Sequence, residues 1–304
     1  MSNPYFSSNP VFAEKSKLDR TPGGYPTMPG YTPGSSQATA PGQQQPAYGE
    51  YRGQDYAQQP MSAEELQHSY DQPAAGPMDT GRMTLDDAIM KTGVVIGTIV
   101  LTAAIHWLVL GPNMGLTMLG LVVGLVLGLV NAFKKEPSPL LIMGYAVAEG
   151  LFLGGISAMF ESQWGGIVLQ AVLATSVTFL VCLGLYASGM VRVTAKSVRI
   201  LMFAMLGYLA FSLVNLVLMF TGVTTDPWGL RGATIMGIPL GIIVGVLAVV
   251  LAAYSLIVDF DAIKRGVQRG VPQKYSWAAA FGIAVTLVWL YLEFLRLLAI
   301  LRNN

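Results

Sequence analysis

Six ionisable side chains lie inside or at the ends of long apolar runs: His106, Glu149, Asp259, Asp261, Glu293 and Arg296. Even on a lenient insertion scale a charge at mid-membrane costs about 2.5 to 3.5 kcal/mol, so each group needs a partner, a proton or water. Glu293 and Arg296, in TLVWLYLEFLRLLAIL, are three residues apart and share a helical face. Either they neutralise each other as a structural pair, or Glu293 titrates and Arg296 balances it in one of two states. Asp259 and Asp261 are two apart, so on a helix they point to nearly opposite faces and only one can look into a bundle. Lys264 and Arg265 offer either acid a partner at the membrane surface. Glu149 has no basic residue within a turn and must be protonated, paired across helices or wet. His106, beside Trp107, reads as an interfacial anchor. Two carboxylates close together in a low dielectric do not ionise together readily; they share a proton and titrate as a pair. Deprotonation then leaves a repulsion that a divalent cation relieves, and oxygen ligands are what calcium prefers.

Positioning these groups falls to seven apolar segments. The chain of 304 residues is 53% hydrophobic and 12% charged, well below the roughly 25% charged of soluble domains. A helix needs about 20 apolar residues to cross a bilayer, and the runs 90–110, 115–133, 140–160, 167–187, 198–220, 233–258 and 276–301 qualify. This is an all-α integral membrane protein with seven spans in the domain 84–304. Residues 1–83 hold eleven of the seventeen prolines, no isoleucine and one valine; such a Pro/Gly/Gln/Tyr-rich tail is expected to be disordered and cytoplasmic. Thr84 and Asp87 in TLDD read as a capping box that opens the first helix. Glycines at 120, 124 and 128 and at 237, 241 and 245 form stripes where backbones approach closely, and Pro239 is expected to kink the sixth span.

Depth follows from the helical rise. Glu149 lies ten residues past Pro139 and so near mid-membrane. Asp259 and Asp261 follow the last apolar residue of their run and belong near the inner face. Glu293 lies sixteen residues beyond Trp277, about 24 Å up the last helix.

Other classes find little support. A net charge of +1 without a basic block argues against nucleic acid. Cys182, alone in an apolar run, reads as packing. No lysine lies deep in a span for a Schiff base, a secretory leader is not expected from the residues ahead of the first apolar run, and neither His-Glu-x-x-His nor Gly-x-Ser-x-Gly occurs. The chain is expected not to be an enzyme and to need no cofactor.

Three stretches, AEGLFLGGISAMFE, SLIVDFDAIKRG and LVWLYLEFLRLLAIL, resemble the signature regions of the Bax inhibitor-1 family, the transmembrane Bax-inhibitor-motif proteins. The tail followed by MTLDDAIMKT is similar to a bacterial branch of it. The resemblance covers residues 83 to 302. It implies a seven-helix fold with the last helix central, and a pH-sensitive leak of calcium governed by two intramembrane acids that share a proton, one in the sixth helix and one in the seventh. Asp259 and Glu293 match those positions, which makes them the residues where calcium and protons would compete. Thirty-four residues separate the two, and the depth reading places them on opposite sides of the midplane.

The function read from these observations is a pH-sensitive cation leak, calcium first, through the inner (plasma) membrane, with Asp259, Asp261, Glu293, Arg296 and Glu149 as pathway or gating residues. The alternative is a non-conducting regulator that binds a membrane protease or another membrane protein under stress. Liposome flux separates the two. Orientation follows from charge: with the N-terminus in the cytoplasm, Lys134, Lys135, Arg192, Lys196, Arg199, Lys264, Arg265, Arg269 and Lys274 lie inside, against Arg231 and Arg302 outside. Cysteines placed at Asn113, Ser162 and Asn304 should all be labelled by an impermeant maleimide from outside. Labelling of position 304 from the cytoplasm alone would refute the assigned topology.

Overall fold

The computed structural model describes residues 81–224 and 226–303; the expected tail, but for its last three residues, lies outside them. Seven helices are long and apolar enough to cross a membrane: α1 (Leu85–Ile105), continued by a π-helical turn (His106–Leu110), α2 (Met114–Phe133), α3 (Pro139–Gln163), α4 (Ile167–Ala187), α5 (Ala195–Phe220), α6 (Leu240–Gln268) and α7 (Ser276–Asn303). The face of the bundle where α1 begins is called the near face below.

Helix starts follow local chemistry. Thr84 Oγ1 accepts from the Asp87 amide at 3.1 Å, the forward half of the expected capping box. The Asp87 carboxylate does not reach back. It takes the ammonium of Lys91 at 2.7 Å and the amide of Gln273 at 3.1 Å, because a charged donor outcompetes a backbone one. The chain is already held at 81–83: the Met83 amide donates to Val271 O at 2.7 Å, the Gln273 amide to Gly81 O at 2.8 Å, and Met83 is buried. The entry to α1 is therefore tied to the α6–α7 connection.

The sixth span departs from expectation. Pro239 is the N-cap of α6 and kinks nothing. Residues before it form a two-residue turn in which Met236 and Gly237 both have positive φ, closing the short pair β1 (Thr234–Ile235) and β2 (Ile238–Pro239). Proline lacks an N–H and disfavours helix in the residue before it, and with the Met236–Gly237 turn ahead of it this apolar run is helical only from Leu240 onward. Gly237 is thereby a turn residue. Gly241 and Gly245 do form a seam, against Ile300 and Leu297 of α7. At its other end α6 runs nine residues past Asp259, which places that aspartate well inside a helix.

The core gathers on α7. It packs against α1, α3, α4 and α6, while α2 leans on α3 and α5 on α6. Fourteen α7 residues are buried against two, Leu201 and Asn215, in α5, so α5 is the most lipid-facing helix. Small residues set the helix spacing. Gly120 and Gly124 of α2 press on α3 as expected, and a second seam, Gly150 and Gly154 of α3, presses on α1.

Gly120 generates a test. A Cβ there would lie 2.6 Å from Phe152 N and 2.7 Å from Ala148 O, whereas at Gly128 it would meet only the Tyr145 ring at 3.5 Å. Backbone cannot yield as a side chain can. Gly120→Ala should lower stability by about 1 to 3 kcal/mol in thermal unfolding of the purified protein, and Gly128→Ala should leave the midpoint nearly unchanged.

Candidate functional site

On α7, Glu293 is 1% exposed, placed there because TLVWLYLEFL turns position 293 toward α5. Oε1 collects every bond it makes. Arg296 Nη1 donates at 2.8 Å, Trp289 Nε1 at 3.3 Å, and the Tyr208 hydroxyl of α5 donates as well. Oε2 has no partner among the described residues.

Tyr208 is the hub. Besides donating to Glu293, its oxygen accepts from Arg296 Nη1 at 3.1 Å and from Arg231 Nη2 at 3.2 Å. A phenol has one donor and two acceptor positions, and all are used. Arg231 also donates to Ser212 Oγ at 3.1 Å and lies over the rings of Tyr208 and Phe211. It is 4% exposed, with Nε and Nη1 unpartnered among the described residues. One carboxylate thus holds two guanidiniums through a shared hydroxyl, at the end of the bundle away from the near face.

A short turn brings Arg231 there. Asn215 of α5 is buried; its Oδ1 accepts from the Leu230 amide at 2.6 Å and its amide donates to Trp228 O at 3.4 Å. This staples the 3₁₀ turn Gly229–Gly232 onto α5. Gly229 has φ of +61°, and a Cβ there would press on Asn215 and Met219, so glycine is required at that point.

The other expected residues lie apart. Asp259 Oδ2 accepts from Thr286 Oγ1 of α7 at 2.8 Å. Thr286 is ten residues into α7, about 15 Å from the near face, so Asp259 sits near mid-depth and not at the inner interface. Seven residues, about 10 Å, separate Thr286 from Glu293, with fully buried Leu290 between. Among the described residues no hydrogen bond or ion pair joins Asp259 to Glu293, and the pairing that the family resemblance implies is not present in this arrangement. Asp261 points away, to Arg265 at 3.0 Å and Tyr186 OH at 3.3 Å. Glu149 is partly buried, its Oε2 lying over Gly124 of α2, with no hydrogen bond or ion pair among the described residues.

His106 is no interfacial anchor. It is fully buried in the π-helical turn, and Nδ1–H donates to Leu151 O. A carbonyl only accepts, so the tautomer is set. Gly154 and Gly155 leave the room that the ring fills; the widened turn and the missing side chains on the facing helix carry the imidazole inward.

A model of the family described as Bax inhibitor 1 like matches residues 3–303. The chain belongs to that family. No curated protein matches it. In this Bax inhibitor 1 like chain the seven apolar helices make a multi-pass membrane protein, and the ordered site is a Glu293–Tyr208–Arg231–Arg296 network.

Sequence reasoning reached Glu293 and Arg296 and missed Tyr208, Ser212 and Arg231. Arg231 passed as an ordinary loop charge. One signal was available: Tyr208, Ser212 and Asn215 recur at i, i+4 and i+7, a polar stripe on an otherwise apolar helix.

The network predicts a strong dependence on one oxygen. Tyr208→Phe removes the donor to Glu293 and the acceptor for both arginines at nearly constant volume. Stranding buried charged groups costs upwards of about 1 to 3 kcal/mol, so thermal unfolding should drop clearly for Tyr208→Phe and only slightly for Ser212→Ala, which leaves Arg231 its bond to Tyr208.

Proposed function

We propose that the protein is a pH-sensitive cation leak pathway, with calcium the ion suited to its oxygen ligands, and that the Glu293 network is its outer gate. The observation that carries the reading is the asymmetry at Glu293: every bond falls on Oε1, and Oε2 is bare and buried. A proton can be added at Oε2 without displacing any existing partner. What changes is charge. With Glu293 ionised, Arg296 is neutralised by it and Arg231 is linked to it through Tyr208. With Glu293 protonated, two guanidiniums face one another across a phenol, with Trp289 and Ser212 the remaining polar neighbours. Like charges at that spacing repel, and α5, α7 and the Gly229–Gly232 turn, which carry them, are pushed toward a second arrangement.

Asp259 is the proposed inner partner of this gate. Thr286 Oγ1 is within reach of both the Asp259 carboxylate at 2.8 Å and Gly282 O at 3.1 Å, and one hydroxyl proton serves two acceptors. Both contacts are made at full strength when Asp259 carries a proton and donates it to Oγ1, leaving the hydroxyl for Gly282. Ionised, the two acceptors compete. Asp259 then offers oxygen ligands at mid-depth, and Glu293 offers them about 10 Å farther out.

Calcium uptake into liposomes holding the purified full chain, measured at acid and neutral external pH, tests the proposal. The wild type should show a pH-dependent flux, and Glu293→Gln, which copies the protonated acid in shape, should hold the flux at one level at both pH values. Full pH dependence in Glu293→Gln would reduce the carboxylate to a structural ion-pair partner. Absence of calcium flux in the wild type at either pH would overturn the leak itself in favour of a non-conducting regulator.

A further inference from the structure

A groove of about 480 Å³ opens between α1 and α4, with α3 and α7 as its floor. α1 and α4 each pack on α7 but do not form a packed pair with one another, so the central part of α7 is reached from the side of the bundle. Along α1 the groove runs from Ile96 to Trp107, and along α4 from Val168 to Leu180. These are about 16 and 18 Å of helix, close to half of the ~30 Å hydrocarbon core of a bilayer. It occupies the half of the membrane away from the near face. Its rim is continuous with the lipid-facing surface, since Val100, Val172 and Leu180 belong to both and are exposed.

Most of the polar groups in the wall are already engaged; Ser176 Oγ, on the exposed side of α4, makes no hydrogen bond among the described residues. Thr175 Oγ1 donates to Ala171 O at 2.8 Å within its own helix. Ser157 Oγ and Tyr291 OH, on the floor, bond one another at 2.7 Å. Neither pair asks for a polar ligand, and the single exposed hydroxyl of Ser176 offers a headgroup or an ion drawn into this groove far less than the hydration it would lose. Trp107 stands at the end toward the membrane surface, the depth at which indole rings sit beside headgroups.

We propose that this groove is a lipid site: it takes one acyl chain of a phospholipid from the leaflet away from the near face, with the headgroup beside Trp107 and the chain lying along Ala284, Leu287 and Val288 of α7. Length, a predominantly apolar lining and continuity with the lipid surface all fit a single chain. The site is separate from the Glu293 network and does not rest on the leak reading.

Native mass spectrometry of the detergent-purified full chain supplies the first readout and tryptophan quenching the second. The wild type should retain one phospholipid per chain. When exchanged for a phospholipid brominated on its acyl chains, that lipid should quench the Trp107 emission, taken as the difference between wild type and Trp107→Phe. Ala104→Phe from one wall and Val172→Phe from the other fill the groove independently, and either should lower retention about tenfold, equivalent to about 1.4 kcal/mol of binding, and remove the quenching. No retained phospholipid in the wild type, or retention and quenching unchanged in both filled variants, would overturn the proposal; the latter would assign the lipid to the outer surface of the bundle.

Discussion

The arrangement turns on one constraint: in hydrocarbon a charge must find its partner inside the protein. Glu293 is fully enclosed on α7, the helix with the most buried residues in the bundle, and everything around it answers that cost. Arg296, one turn away on the same helix, supplies the opposite charge. Tyr208 crosses from α5, and Arg231 comes in from a turn that Asn215 staples in place. A pair of ions alone rarely repays its desolvation unless further hydrogen bonds complete it. Here the phenol adds such bonds, though Glu293 Oε2 and two Arg231 nitrogens stay without partners among the described residues, and it links three separate segments of chain to one carboxyl group.

Close backbone approach makes this coupling mechanically meaningful. Gly120 and Gly124 let α2 lie directly on α3, and Gly150 and Gly154 let α3 lie directly on α1. At Gly120, Gly150 and Gly154 the facing atoms include backbone, which transmits a shift from helix to helix, while at Gly124 the nearest is the Glu149 carboxylate. α5 is held differently: it buries two residues and meets α7 chiefly through the Tyr208 network. The helix joined to α7 through charged groups is therefore the one with the least buried surface in the bundle, its apolar packing being mainly on α6. At the near face, Asp87, Lys91 and Gln273 join the start of α1 to the α6–α7 connection, so the helix carrying Asp259 and the helix carrying Glu293 are anchored at a common point.

Much of this was legible in the sequence. Span number follows from hydropathy because no water is present to satisfy an unpaired backbone in lipid, and an apolar run of sufficient length must become a helix. The ionisable residues stood out against that background, and the spacing of Glu293 and Arg296 put both on one helical face, where the structure pairs them. The three signature stretches carried the family, which the match over residues 3–303 shows. Pro239 marks where hydropathy misleads: TIMGIP is apolar enough for membrane, yet its proline and its Met-Gly turn close a small hairpin, because hydropathy counts transfer energy and says nothing about dihedral angles.

What the tertiary structure alone decided is which groups meet. His106 was drawn inward, since glycines on a neighbouring helix, not its own sequence context, leave the space it fills. Arg231 sits far from Glu293 in sequence, in a turn whose charge looked ordinary; its burial depends on Asn215 holding the turn, and the polar stripe to which Asn215 belongs does not say which segment it receives. Asp259 met Thr286 and not Glu293 because the helix register of α6 against α7 is fixed by the Gly241 and Gly245 seam with Ile300 and Leu297. A single sequence determines the face on which each residue lies, through the period of its own helix. Rotation and offset between helices are set by the fit of two surfaces at once, and that fit is a property of the folded bundle.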